Sequence, residues 1–331
     1  MAATTLDVVG IGNAIVDVLA EADDAFIQKE ALTKGTMALI DEARAESLYG
    51  KMSAGVEASG GSAANTIAGI ASLGGKAGYI GKVADDALGK VFAHDLRATG
   101  VKYETAPLKN GPTTARCLIL VTPDAQRTMN TFLGASAEFQ PGDVDSDLVA
   151  SGQVTYLEGY LFDRPTAKEA FRQAAAIAHK AGRKVSLSLS DPFCVDRHRA
   201  DFRDLIRNHV DILFANESEI GSLYEIKDFE EAAGKVRGEC EIAVLTRSEK
   251  GAVVVTAKDR VAVPAAPVVK VIDTTGAGDL FAAGFLFGFT HGKDMTTCAK
   301  LGALAAAEII SHFGARPEAK LGDLAAKAGL V

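Results

Sequence analysis

Cysteine is scarce: the 331 residues hold four, Cys117, Cys194, Cys240 and Cys298, dozens of positions apart. No Cys-x-x-Cys pair and no His-x-x-x-His partner accompanies them, which excludes a sequence-local zinc site and a disulfide scaffold and leads us to expect a reduced, cytoplasmic protein. A membrane span is equally missing, because no stretch of 18 apolar residues occurs. Nor does Met1-Ala2-Ala3-Thr4-Thr5-Leu6-Asp7 carry the basic n-region of a secretory signal. Without export, the formal glycosylation match at Asn216-Glu217-Ser218 carries no meaning. Long blocks of like charge are absent too, and with 35 lysines and arginines against 43 aspartates and glutamates the chain carries a net charge of −8, so nucleic-acid binding is not expected. There is no internal repeat and no low-complexity segment.

Hydrophobic residues at 48% and charged residues at 24% are ordinary globular usage, enough to bury a proper core. The length suggests two domains, or one large α/β domain with an appendage. Glycine, 33 residues, is generous and points to turns at positive φ or backbone brought close to a ligand. Short aliphatic runs (Leu6 to Ile11, Ala77 to Val83, Val154 to Leu157, Val185 to Leu189, Ile212 to Phe214, Ile242 to Leu245) alternate with amphipathic segments (Ser62 to Leu73, Ala87 to Ala98, Ala167 to His179, Asp201 to Asn208, Glu217 to Tyr224). That rhythm predicts an α/β fold with a mostly parallel sheet covered on both faces. Two stretches break it, 15–40 and 113–133, whose short runs (Ile15 to Leu19, Thr36 to Ile40, Ala115 to Val121, Thr128 to Phe132) read as a small projecting sheet. The core is then expected from 1–14, 41–112 and 134–331, ending helix after helix from Gly278 to about Leu324.

The strongest chemical signal is Asp273-Thr274-Thr275-Gly276-Ala277-Gly278-Asp279. A valine-rich run leads into it and a helix follows, so the N–H groups of Gly276, Ala277 and Gly278 fall at a helix N-terminus, where unpaired donors and the dipole favour an anion. Asp279 stands in the first turn, placed to take a proton from a hydroxyl aimed at a phosphate. A capping aspartate is the plain alternative. At the N-terminus, Val8-Val9-Gly10-Ile11-Gly12-Asn13-Ala14-Ile15-Val16-Asp17 lacks the third glycine of a dinucleotide fingerprint and no acid ends a second strand, so that reading fails. Asn13 and Asp17 could instead hold sugar hydroxyls at a strand end, or satisfy a turn. Gly60-Gly61-Ser62-Ala63-Ala64-Asn65 opens a helix and could let a sugar meet backbone, with Asn65 one turn in. Asn216-Glu217-Ser218-Glu219 is a capped helix start in which Glu219 could hold the waters of Mg²⁺. Thr246-Arg247-Ser248-Glu249-Lys250-Gly251 is a further strand-end loop within reach of a nucleotide phosphate. His94, His179 and His291 fit solvated or core roles.

Taken in order, Gly12-Asn13-x-x-x-Asp17, Gly60-Gly61-Ser62-x-x-Asn65, Asn216-x-x-Glu219 and Asp273-Thr-x-Gly-Ala-Gly-Asp279 resemble the ribokinase-like, PfkB-type carbohydrate and nucleoside kinases over nearly the whole chain. Ser186 to Phe193 and Val210 to Glu219 are most similar to the adenosine kinases among them. The resemblance implies a three-layer αβα core with a small β lid, ATP as donor, Mg²⁺ as bridging ion, and a nucleoside or sugar alcohol as acceptor, in the first place the 5′-hydroxyl of adenosine. It assigns the base to Asp279, the anion hole to Gly276, Ala277 and Gly278, and the ribose grip to Asp17 and Asn65 with Asn13, Gly61 and Ser62. Arg127, on the lid, would reach the transferring phosphate on closure, and Tyr160 or Leu161 would stand where a phenylalanine stacks on the base. Asn216, Thr246, Gly251 and Thr275 fall to the nucleotide, Glu219 to Mg²⁺ through water, and Asp273 and Thr275 beside Gly314-Ala315 to a candidate K⁺. Gly134-Ala135-Ser136 departs from the Gly-Ala-Asn of many relatives. A sugar kinase and a nucleotide-binding regulator without turnover are the alternatives, and both a monomer and a homodimer agree with the pattern.

Overall fold

The computed structural model describes residues 5–124 and 126–331; Met1 to Thr4, on which the export reading rested, and Ala125 of the lid segment lie outside the described residues. The strands, in chain order, are β1 (Leu6–Ile11), β2 (Ile15–Glu21), β3 (Met37–Leu39), β4 (Val56–Gly60), β5 (Ala77–Ile80), β6 (Lys102–Tyr103), β7 (Ala115–Val121), β8 (Arg127–Phe132), β9 (Gly152–Glu158), β10 (Lys184–Ser188), β11 (Ile212–Asn216), β12 (Ile242–Thr246), β13 (Ala252–Thr256) and β14 (Arg260–Val263). The helices are α1 (Asp24–Lys29), α2 (Glu42–Tyr49), α3 (Ser62–Ser72), α4 (Ala87–Ala98), α5 (Ser146–Ser151), α6 (Pro165–Lys180), α7 (Pro192–His209), α8 (Glu217–Tyr224), α9 (Phe229–Val236), α10 (Ala277–Thr290), α11 (Met295–Ile309) and α12 (Leu321–Lys327).

A nine-stranded sheet in the order β14-β13-β12-β11-β10-β9-β1-β5-β6 forms the centre. From β6 to β12 every pairing is parallel, and β13 and β14 turn back antiparallel at one edge. Because strand residues alternate sides, the apolar runs feed two cores at once. Val8, Tyr156, Ile212 and Val244 pack toward α3, α10 and α11, whereas Val9, Leu157, Leu213 and Leu245 pack toward α6, α7 and α8. The expected three-layer α/β core is therefore present.

α10 is apolar all round because it is buried all round, from Leu280 to Gly288. Glycines set its close crossing with α11: a Cβ on Gly284 would stand 2.3 Å from the Leu301 carbonyl oxygen, and one on Gly302 2.7 Å from that of Phe281.

The small sheet has five strands in the order β3-β8-β7-β2-β4. Val16, Val18, Leu118 and Leu120 face inward against α1, α2 and α4, through Ile27, Leu48 and Phe92. By alternation the other face carries Asp17 and Leu19 of β2, Cys117 and Ile119 of β7, and Arg127 and Met129 of β8. One strand departs from the sequence reading: Val56–Gly60, assigned with 41–112 to the core, pairs antiparallel with β2 in this small sheet. It is a short run rich in small residues whose partner lies some forty positions upstream, so no local pattern marks it. β4 runs straight into Gly61 and α3, so the small sheet and the core share that junction.

Candidate active site

The carboxyl ends of β1, β9, β10, β11 and β12 line one edge of the main sheet, where ligands of open α/β sheets bind. Above that edge α10 presents its N-terminus. Gly276, at φ +78, is its N-cap and offers no capping side chain. The Ala277 N–H donates to the Thr274 carbonyl at 3.2 Å. Among the described residues no acceptor meets the N–H groups of Gly276, Gly278 or Asp279. The open amide donors at this helix start are thus those of Gly276, Gly278 and Asp279, whereas the Ala277 N–H, expected with Gly276 and Gly278 in an anion cradle, is bonded within the loop. Nothing stands within 4 Å of the place a Cβ would take on Gly278, which leaves that approach open.

The Asp279 carboxylate is held from α3. Ser62 Oγ donates to Oδ1 at 2.6 Å and Asn65 Nδ2 to Oδ2 at 3.0 Å. Asn65 is buried and its own Oδ1 has no partner, which leaves it an open acceptor. Gly61, at φ +93, permits this entry, since a Cβ there would stand 2.3 Å from the Asn13 carbonyl oxygen. Asp17 reaches the same place from β2. Its carboxylate lies against Gly60, where a Cβ would come within 2.3 Å of Oδ2, and among the described residues it accepts no hydrogen bond.

Asn13 is placed by a residue that the sequence reading missed. Glu158, at the end of β9 and 1% exposed, accepts Asn13 Nδ2 at 2.7 Å and the Ala63 N–H at 2.8 Å. Its carboxylate occupies the space left by Gly12, where a Cβ would stand 2.4 Å from Oε2. Tyr160 follows on the turn after β9, half-buried among Asp191, Asp279, Glu219 and Glu158. Leu161 is corrected: it is 3% exposed and belongs to the core beneath the sheet, because the turn after β9 carries its side chain inward.

On the lid, Arg127 Nη2 lies 2.8 Å from Asp273 Oδ2, both side chains being largely buried, and the guanidinium sits 5.3 Å from the centre of the Phe313 ring. The N–H bonds of Nε and Nη2 are not aligned with any acceptor, so this is an ion pair without a directed hydrogen bond. Asp273 Oδ1 also accepts the N–H and hydroxyl of Thr275, and Oδ2 the Gly314 N–H. The donors expected for K⁺ are therefore occupied by one another and by Arg127.

Asn216 and Glu219 form a reciprocal capping box at the start of α8, with Asn216 N and Nδ2 donating to the two Glu219 oxygens at 2.8 and 2.7 Å. Thr246 pairs with Asn216 across β11 and β12, which puts its half-buried side chain at the same edge. Gly251 plays a turn role: at φ +85, a Cβ would stand 2.1 Å from the Val263 carbonyl oxygen.

Four carboxylates crowd this edge, and burial raises the pKa of each. Asp17 is pushed up to about 6, against the lowering pull of Arg316 and Arg127. Glu158 and Glu219 are each pushed up to about 7, and Asp279 is raised despite Ser62 and Asn65. Arg316, in the Gly314-Ala315-Arg316-Pro317 break, lies half-buried beside Asp17 and Asp279, and desolvation lowers it to about 10, still cationic. A raised carboxylate beside uncapped amides can accept a proton while the amides hold an oxyanion.

Residues 33–320 match the pfkB family of carbohydrate kinases. A solved structure of adenosine kinase from Sinorhizobium meliloti is 53% identical, covers 98% of this chain and 99% of that chain, and superimposes with a TM-score of 0.91. A probable sugar kinase protein from Rhizobium etli CFN 42 is 52% identical, covers 99% of this chain and 100% of that chain, with a TM-score of 0.92. An adenosine kinase of Saccharomyces cerevisiae is 28% identical over 335 residues, 94% of this chain and 96% of that one.

Proposed function

We propose that this chain, which belongs to the pfkB family of carbohydrate kinases and is an ATP-dependent phosphotransferase, phosphorylates the 5′-hydroxyl of adenosine to give AMP and ADP. The observation that carries the reading is Asp279: a raised carboxylate, fixed by Ser62 and Asn65, standing directly on an uncapped helix N-terminus. In this reading Asp279 Oδ takes the proton of the acceptor hydroxyl as its oxygen bonds to the γ-phosphorus. The bridging P–O bond breaks and its electron pair leaves with ADP. The amides of Gly276, Gly278 and Asp279 hold the charge that develops on the phosphoryl oxygens. Arg127, paired with Asp273 at 2.8 Å, would add a positive charge on turning to the phosphate.

The acceptor is read from the surroundings of the base. The open Asp17 carboxylate and the unpartnered Asn65 Oδ1 would grip ribose hydroxyls, with Asn13, Gly61 and Ser62 framing them. Beside them the lid shows an apolar face: Leu19 and Met129, and next to them Met37, Leu39 and Val56, exposed by 46, 56 and 69%. A flat base of low polarity would cover such a face, whereas a free sugar would leave it wet. Tyr160, half-buried near Asp279 and Glu158, would be the aromatic at hand for the base.

ATP would lie along the ends of β11 and β12, at Asn216, Thr246 and Thr275. Mg²⁺ fits Glu219, whose oxygens use one lone pair each on Asn216 and keep others for metal-bound water; bound with ATP it would neutralise phosphate charge. Asp273 and Thr275 do not fit K⁺ in this arrangement, and no step is assigned to that ion. Among the described residues no helix is long and apolar enough to cross a membrane, and a cytoplasmic location goes with four cysteines kept as thiols.

Coupled ADP release with adenosine, other nucleosides, ribose and fructose tests the reading. Turnover confined to nucleosides, with adenosine best, is expected. Turnover of free sugars alone would move the acceptor to the sugars, and tight ATP binding without any turnover would remove the enzyme reading.

A further inference from the structure

Arg316 sits in the loop before α12, in none of the motifs that mark the site, yet its guanidinium reaches the centre of it. Nε donates to the Ser59 carbonyl at 3.0 Å, Nη2 to Ser59 Oγ at 3.1 Å, and Nη1 to the Ala64 carbonyl at 2.5 Å. Those acceptors bracket the junction of lid and core. Ser59 precedes Gly60, against which the Asp17 carboxylate lies, and Ala64 precedes Asn65, which donates to Asp279. Between them stand Gly61 and Ser62, the latter also bound to Asp279. One side chain thus closes a staple over the segment that positions both site carboxylates.

We propose that Arg316 is a positioning residue of the acceptor site, a fixed cation that clamps residues 59–64 and keeps Asp17 ionised so that it can receive the hydroxyls of a ribosyl acceptor. The proposal rests on the kinase reading for its acceptor, while its clamp stands on the three hydrogen bonds of Arg316 and on the contact of Asp17 with Gly60. The charged groups around Asp17 are Arg316, Arg127 and Asp279, and those around Arg316 are Asp17, Asp279 and Asp95, with the neutral Tyr79 hydroxyl beside them. Asp95 is itself fixed, accepting the Ser59 N–H at 3.1 Å. The cations are two and only Arg316 makes directed hydrogen bonds, so it is the stable one of the pair. A lysine in its place keeps the charge but cannot span three acceptors in a planar fork.

The test uses the full chain as R316K and R316M, both checked for cooperative thermal unfolding. First, the Asp17 carboxyl is titrated by ¹³C NMR without ligand, its resonance assigned by its loss in D17N. R316M is expected to raise the midpoint by about one pH unit or more, the low end for losing a neighbouring opposite charge; R316K is expected to leave it near the wild-type value. Second, adenosine kinetics are followed from pH 5 to 8. R316K should keep the acid limb of kcat/KM in place and raise KM for the acceptor roughly tenfold, with KM for ATP little changed. An Asp17 midpoint in folded R316M that matches wild type overturns the proposal. If R316M does not fold, R316K decides alone, and an unchanged acceptor KM overturns the clamp. Should wild type turn over no acceptor, the function reading fails, while the Asp17 midpoint still decides for or against Arg316.

Discussion

Replacing Asp279 by asparagine removes a proton acceptor and little else. Ser62 Oγ at 2.6 Å can still donate to an amide oxygen, and Asn65 can present its unpartnered Oδ1 to the new NH₂ by rotating its own amide. The carboxylate it replaces is raised by burial, so the neutral amide also relieves a desolvation cost. Stability should therefore change by no more than about 1 kcal/mol, the worth of one rearranged hydrogen bond. Turnover is another matter, because a positioned general base contributes roughly 10²- to 10⁴-fold, or about 3 to 5 kcal/mol of barrier. The expected result is a protein with a near-native melting temperature and ATP affinity by calorimetry, and a kcat in coupled ADP release lower by at least about a hundredfold. Its residual activity should also lose the acid limb of the pH profile that depends on this group. Native kcat in D279N would refute the assignment of the base, and lost ATP binding would show that the group shapes the anion cradle instead.

Gly12→Ala should destabilise the chain by about 1 to 3 kcal/mol in denaturant titration, since its Cβ would come within 2.4 Å of Glu158 Oε2 and 2.6 Å of Ala63 Cβ; an unchanged midpoint would argue against Glu158 as the tie between β1 and α3. Because Asp17 must be ionised to accept hydroxyls and titrates at about 6, kcat/KM for adenosine should fall as pH is lowered through 6, and a flat profile down to pH 5 would count against that role. Stability should run the other way: Glu158 and Glu219 move from 4.5 in the unfolded chain to about 7, so between those values the folded state holds protons that the unfolded state has shed. Each then costs about 1.4 kcal/mol per pH unit as pH rises through that window, and calorimetry should give a lower melting temperature at pH 7.5 than at pH 6, with E158Q flattening the slope. Leu39→Ser together with Met37→Ser should raise KM for adenosine by roughly tenfold, as expected from losing about 1.5 kcal/mol of apolar cover, and leave KM for ATP in place; equal effects on both would take the base away from the lid.

What was legible in the sequence is what is local. Asp273 to Asp279 announces a tight glycine turn and a helix start within seven residues, although the valine-rich run before it forms no strand and leaves Val269 and Val271 exposed, and Asn216 to Glu219 gives its capping box directly. Ala87–Ala98 and Glu217–Tyr224 form as helices because their apolar spacing and caps agree. Glu158 stayed hidden because its partners, Asn13 and Ala63, lie 145 and 95 positions away and nothing near it looks like a site. Gly12 held the clue, a glycine with no turn to explain it. Arg316 was masked in the same manner, its contacts being 257 and 252 positions distant. The Arg127–Asp273 pair could not be foreseen either, since each residue alone suggested a different ligand, and only the fold shows that they find each other.

The crossing of α10 with α11 has a mechanical consequence. Gly284 stands five positions along the helix from Asp279, roughly 7 to 8 Å at 1.5 Å per residue, and it touches the neighbouring backbone with no slack. A rigid rod pinned so near its tip acts as a gunsight. Any methyl added at the pin swings the muzzle, so changes that never meet a guest molecule would throw the Asp279 carboxylate off its aim. Substitutions in α11 that touch no ligand are therefore expected to alter turnover while every contact residue stays the same.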